Sequence, residues 1–159
     1  MNRFCAVLFA VVAGEAVYSG SLDFVDPLIG TEGNGSEYGG MMPYTGVPFG
    51  SFQMVPMTRQ NGVGRLSFNQ EDETLTGFIL TRQPAIWMGD WGEVRIPTAP
   101  AKIDKSKYAP YYGSVTAGGR AFEYTATAHA AWLRGDLGDV EIFDGYNAER
   151  DDENLGRAL

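Results

Sequence analysis

The chain has 159 residues, in the range of one domain, and its 44% hydrophobic and 13% aromatic content can build a core of ordinary size, which excludes disorder as the default state. A formal net charge of −8 repels phosphate backbones and anionic lipid, so composition argues against nucleic acid and against a membrane surface as partners.

At the N-terminus, Asn2 and Arg3 form a short polar, basic start, and the apolar run "FCAVLFAVVA" at 4–13 follows. That run is too short to span a bilayer, which takes about 20 apolar residues. With Gly14 and Ala16 at the positions a signal peptidase reads, residues 1–16 are expected to be a signal peptide, cleaved after Ala16 or, alternatively, after Ala13. The competing reading is a buried N-terminal element of the mature domain. Export makes the mature protein secreted and extracellular. Cys5, the only cysteine, lies in the leader, so the mature chain is expected to hold no disulfide and to depend on burial for stability. Arg3 and Glu15 leave together, and the net charge of −8 is unchanged.

The glycine-rich stretch "IGTEGNGSEYGG" at 29–40 superficially looks like a phosphate cradle. It lacks a following Lys-Ser or Lys-Thr pair, Pro27 precedes it, and "MMPYTGVPFG" rather than a helix comes next. The glycines are read instead as places where backbone turns sharply or packs closely. Asn34-Gly35-Ser36 fits the glycosylation pattern and makes Asn34 a candidate acceptor in an exported chain.

Thereafter short β-branched and aromatic runs alternate with turn residues, 21 Gly and 8 Pro in all, and helix signals are scarce. Strands are expected at 50–56, 64–68, 75–80, 92–96 and 112–117, with Asn61-Gly62 and Gly118-Gly119 as hairpin turns. The clearest is 122–133, "FEYTATAHAAWL". There the period of two puts Phe122, Tyr124, Ala126, Ala128, Ala130 and Trp132 on one face and Glu123, Thr125, Thr127 and His129 on the other. One apolar and one polar face is the mark of an antiparallel sheet packed on one side. The expected fold is therefore an all-β antiparallel sandwich over 17–143. The polar end, "DGYNAERDDENLGRAL", holds no further apolar run to close a sheet, so 144–159 is read as an acidic tail or the product of a truncation.

Few residues can carry chemistry. The sole histidine, His129, has no nucleophile-elbow serine to serve and is read as a surface or interface group. One histidine and no mature cysteine leave almost nothing for zinc, and the acidic end lacks the spacing of a calcium loop. The segment "TRQPAIWMGDWGE" at 81–93 is the exception. Aromatic rings stack on the apolar faces of sugars while carboxylate and guanidinium groups bond the hydroxyls, so two tryptophans with Arg82 and Asp90 suit a saccharide. Against this, tryptophans are highly buried on average, and composition alone favours a packed corner. Asp90 and Glu93 are poorly placed to form a glycosidase pair by themselves, since residues three apart on a strand point to opposite faces.

Five segments in order decide the matter: "VDPLIGT" at 25–31, "VPFGSFQMVPMTR" at 47–59, "TGFILTRQPAIWMGDWGE" at 76–93, "APYYGSV" at 109–115 and "FEYTATAHAAWLR" at 122–134. Together they resemble the N-terminal domain of glycoside hydrolase family 92, the calcium-dependent exo-acting α-mannosidases. The resemblance implies an N-terminal β-sandwich packed on a larger C-terminal (α/α)6 catalytic domain, with mannose-containing glycans bound between them and hydrolysed with inversion. It also implies that the catalytic acid and base and most calcium ligands belong to that other domain, so no catalytic or metal residue is assigned in this chain. Trp87 is implied as the sugar-stacking residue, with Gly89, Asp90 and Trp91 beside it. Arg82 departs from the pattern, since relatives commonly have histidine after this threonine; its planar fork of donors can bond a hydroxyl or a phosphate on the glycan. The alternative function is a non-catalytic, lectin-like sandwich that binds sugar through the same loop.

Overall fold

The computed structural model describes residues 24–34, 37, 39–46, 52–91, 94–136 and 138–143. The expected leader at 1–16, Gly35 and Ser36 of the glycosylation pattern, Glu93 and the polar end at 144–159 lie outside them. Among the described residues every regular element is a strand: β1 (Gln53–Met57), β2 (Thr74–Thr81), β3 (Gln83–Ala85), β4 (Gly89–Trp91), β5 (Val94–Ala109), β6 (Tyr112–Ala117), β7 (Arg120–Ala126), β8 (Ala130–Gly135) and β9 (Gly138–Phe143). No helix among them is long and apolar enough to cross a membrane.

Seven strands form one antiparallel sheet in the order β1-β2-β5-β6-β7-β8-β9, and β3 with β4 makes a separate two-stranded ribbon. The long β5 explains how one sheet becomes two layers. Its first half pairs with β2, from Leu80↔Val94 to Thr74↔Lys102, and its second half with β6, from Ile103↔Ala117 to Ala109↔Tyr112. Register irregularities fall between Leu75 and Gly77 on β2 and between Ile103 and Lys105 on β5. Bulges of this kind let a strand bend from one sheet into the next. The fold is thus the all-β sandwich that the sequence implied.

Between the layers lies the main core: Phe52 and Met54 of the first layer, Leu75, Phe78 and Leu80 of β2, and Val115, Phe122, Tyr124, Ala131 and Leu133 of the second. The Phe78 ring sits 5.4 Å from Phe122 and 5.3 Å from Tyr124, both tilted. A smaller core of Met42, Val55, Met57, Leu66, Phe68 and Ile79 covers the opposite face of β1 and β2. These two strands are buried on both sides, which is why "MVPM" and "FILT" read as continuous apolar runs rather than alternating ones.

Three expectations need correction. The run 122–133 is not one strand: β7 ends at Ala126 and β8 begins at Ala130. Thr127 closes the turn, its amide donating to the Ala130 carbonyl at 2.7 Å and its hydroxyl accepting from the Ala130 amide at 3.1 Å. The reversal shifts the alternation, so Phe122, Tyr124 and Ala126 face the core as expected, but Ala131 and Leu133 follow them inward rather than Ala130 and Trp132. Residues 64–68 form no strand but a loop that is exposed at Gly64 and Arg65 and buried from Leu66 to Phe68, and Asn61-Gly62 leads into a tight Gly62–Arg65 bridge instead of a long hairpin. The stretch after Gly135, where no strand was expected, supplies β9, paired with β8 from Gly135↔Gly138 to Ala130↔Phe143, with Asp139 and Glu141 exposed. Gly118-Gly119, by contrast, is the expected two-residue turn, with φ of 56° and 75° joining Ala117 to Arg120.

Candidate functional site

The segment from Thr81 leaves the buried end of β2 and folds into the β3–β4 ribbon, with Gln83↔Trp91, Pro84↔Asp90 and Ala85↔Gly89 as partners. Gly89, Asp90 and Trp91 thus form the returning strand of the ribbon whose outgoing strand follows Arg82. The backbone gathers the expected site residues into one hairpin. Its turn is closed by the Met88 amide donating to the Ala85 carbonyl at 2.9 Å.

The three turn residues divide. Ile86 is half-buried and packs against the smaller core, whereas Trp87 is 71% exposed. This settles the first question posed by the sequence: Trp87 is not a core residue. Arg82, also exposed, lays its guanidinium 5.2 Å from the centroid of the buried Phe52 ring, a cation–π contact that holds its stem beside the base of the ribbon.

Two loops support the turn. The Gly64 amide donates to the Ile86 carbonyl at 2.7 Å. Its own loop is tied down by the Gly62–Arg65 bridge and by Arg95, whose Nη2 donates to Asn61 Oδ1 at 2.7 Å. On the other side Gly40 lies so close that a Cβ there would stand 3.1 Å from Ile86 Cδ1 and 3.3 Å from its Cβ. Gly40 therefore packs closely on Ile86, in keeping with the reading of these glycines as turning and close-packed backbone. At Gly39 a Cβ would come within 2.4 Å of the Gly30 carbonyl oxygen, so these two backbone segments touch directly.

Asn34 belongs to a different cluster. It is exposed, and its Oδ1 accepts from Arg59 Nη1 at 3.4 Å. Arg59 also grips Asp72 with two bonds, Nε to Oδ2 at 2.6 Å and Nη2 to Oδ1 at 2.5 Å, and Thr58 Oγ1 donates to Oδ2 at 2.6 Å. Burial pushes the Asp72 carboxyl up, but the bonds from Arg59 and Thr58 and the charges of Arg59 and Arg65 outweigh it and hold it below its ordinary value. Asn69, fully buried, completes the cluster by donating to the Gly33 carbonyl at 2.8 Å and accepting from the Glu71 amide at 2.9 Å. These groups satisfy one another, and the cluster holds the loops before β2 in place. His129 is exposed in the β7–β8 turn. Among the described residues no three of His, Cys, Asp and Glu stand close enough to hold a metal ion, so they do not by themselves fit a calcium site.

The sequence reading did not find Ile86, Gly64 or Gly40 as parts of this site. Only Gly40, within the glycine cluster, carried a signal that pointed to close packing.

A family model described as the glycosyl hydrolase family 92 N-terminal domain matches residues 24–137. Among solved structures, the chain is similar to a family GH92 inverting mannosidase from Bacteroides thetaiotaomicron VPI-5482, with 28% identity and a TM-score of 0.63. The match covers 72% of this chain and 18% of that one. A family GH92 α-mannosidase from Bacteroides thetaiotaomicron has the same fold, with 24% identity, a TM-score of 0.59 and coverage of 72% and 18%. The chain spans less than a fifth of the length of either enzyme. No curated protein matches it in sequence.

Proposed function

The chain belongs to glycosyl hydrolase family 92, whose N-terminal domain it carries, and we propose that it supplies one wall of the sugar pocket of a secreted, inverting α-mannosidase. The wall is the β3–β4 ribbon. Trp87 offers its ring to the apolar face of a terminal α-mannosyl residue, Arg82 offers donors to a hydroxyl, and the Gly89–Trp91 strand lines the approach. The catalytic acid and base, and the calcium of this family, belong in this reading to a partner (α/α)6 domain.

The observation that carries the proposal is the 71% exposure of Trp87 on a turn held in place by its neighbours. Tryptophan is highly buried on average, and presenting an indole to water on a supported turn is a costly arrangement without a ligand to cover it. A saccharide is such a ligand, since a sugar face is apolar and its edge is rich in hydroxyls.

The test is a titration of this chain with methyl α-mannoside, followed by the indole N–H resonance of Trp87 assigned with Trp87→Phe. The expected outcome is a saturable shift at millimolar sugar, together with saturation transfer from the protein to the mannoside that is lost in Trp87→Ala. Because the side chain is exposed, the substitution should change stability by no more than about 0.5 kcal/mol. An indole signal that mannoside leaves unmoved, or a Trp87→Ala chain that unfolds, overturns the reading. The lectin-like alternative calls for tight, self-sufficient binding by this chain alone, whereas one wall of a pocket binds weakly.

A further inference from the structure

We propose that Ile86 is a positioning residue for Trp87: clamped between the glycine-rich loop and the 61–65 loop, it fixes the direction in which the indole is presented. The inference rests on the sugar-pocket reading above for its ligand, but its geometry stands on separate observations.

Trp87 cannot be held by burial of its own ring, which is largely in solvent. Its orientation must come from its backbone and from the residue before it. At Ile86 both attachments are present. The half-buried side chain packs against the smaller core, and the carbonyl is taken by the Gly64 amide at 2.7 Å. Gly40 closes the third side, where its missing Cβ leaves the space that Ile86 fills. Gly40 and Gly64 have φ of 70° and 77°, a region L side chains rarely adopt, so both loops reach Ile86 in conformations suited to glycine.

The residues next to the Gly64–Ile86 bond, Val63 and Trp87, are both exposed, at 87% and 71%. The clamp thus places two outward-facing apolar groups at the tips of adjoining loops. A stacking residue set in this way binds without first having to be ordered, which is where preorganisation contributes affinity. Looser attachment moves that ordering cost into the binding step.

The experiment compares Ile86→Ala, Ile86→Val and Gly64→Ala with the unaltered chain, by the heteronuclear NOE of the Trp87 indole and by methyl α-mannoside titration. Ile86→Ala is expected to lower the NOE and weaken mannoside binding about five-fold or more, while Ile86→Val, which keeps the branched stem, stays close to the original. Gly64→Ala meets no atom within 4 Å but is strained at its φ, so it should disturb the carbonyl bond from outside the core and lower the NOE in the same direction. It decides the matter if Ile86→Ala fails to fold. An NOE in Gly64→Ala and Ile86→Ala equal to that of the unaltered chain overturns the proposal. A mannoside that leaves every variant and the unaltered chain unshifted sinks the sugar-pocket reading alone, because the NOE comparison needs no sugar.

Discussion

The Arg59–Asp72 pair makes part of the fold's stability depend on pH. Both side chains are largely shielded, at 19% and 24% exposure, and the carboxylate accepts three bonds from Arg59 and Thr58. Its folded-state value is depressed below the ordinary 3.8. A group depressed by folding contributes stability that is present above its unfolded value and is lost as pH falls through the folded one. Asp72→Asn should therefore cost about 2 kcal/mol at neutral pH, because it leaves the guanidinium without its charge partner. The difference from the unaltered chain should narrow below about pH 4. Urea unfolding at neutral and acid pH measures both, and a cost that does not depend on pH would contradict this account. Neither the pair nor Asn69 stood out in the sequence, where Arg59, Asn69 and Asp72 are ordinary loop residues separated by 13 positions or fewer. Their importance comes from the loop that brings them together, and no spacing rule describes that loop. Trp87 was legible in the opposite way: composition favoured the core, and only an ordered set of motifs pointed outward.

Among the elements, the sequence revealed those whose alternation had one wet face and concealed those that depend on a partner. β6 was found at its true bounds, and the inward face of β7 was read correctly, because buried and exposed positions alternate along both. The β7–β8 turn was missed because "TAHA" contains no glycine, proline or asparagine; Thr127 makes it with its own hydroxyl and amide. β9 was missed because Asp139 and Glu141 mask a strand that only its register with β8 defines, reinforced by Arg134 at 3.1 Å from Asp139. A sharper case is Gly113 on β6, opposite Tyr124 on β7. A Cβ there would stand 2.0 Å from Tyr124 Cζ, inside a ring that is itself fully buried. Gly113→Ala should cost about 3 kcal/mol by overpacking and lower the melting temperature by roughly ten degrees. Calorimetry showing an unchanged transition would mean that the aromatic cluster of Phe78, Phe122 and Tyr124 yields more easily than its packing implies.

At the scale of the molecule, the two edges of the sheet are finished differently. The outer edge of β1 is bridged by Thr45, whose amide and carbonyl both bond Met54, at 3.0 and 2.9 Å. β9 has β8 as its one neighbour among the described residues, and Asp139 and Glu141 give it the charge that discourages further pairing. Beside it the layers part. A cleft of about 240 Å³ opens between Ile96 to Ala99 on β5 and Phe122, Leu133 and Val140 on β7 to β9, with the Thr98 hydroxyl buried and unpartnered among the described residues. An apolar cleft of this kind favours association, and the net charge of −8 opposes it. Screening acts on the charge and leaves the apolar term almost untouched. Light scattering of this chain should therefore give a mass that rises with protein concentration, more steeply at high ionic strength than at low. Val140→Glu, which adds a further negative charge at the rim of the cleft, should flatten that rise without shifting the melting temperature appreciably. A mass that stays monomeric at every concentration and ionic strength would mean that the open seam between the layers is too small or too polar to drive contact.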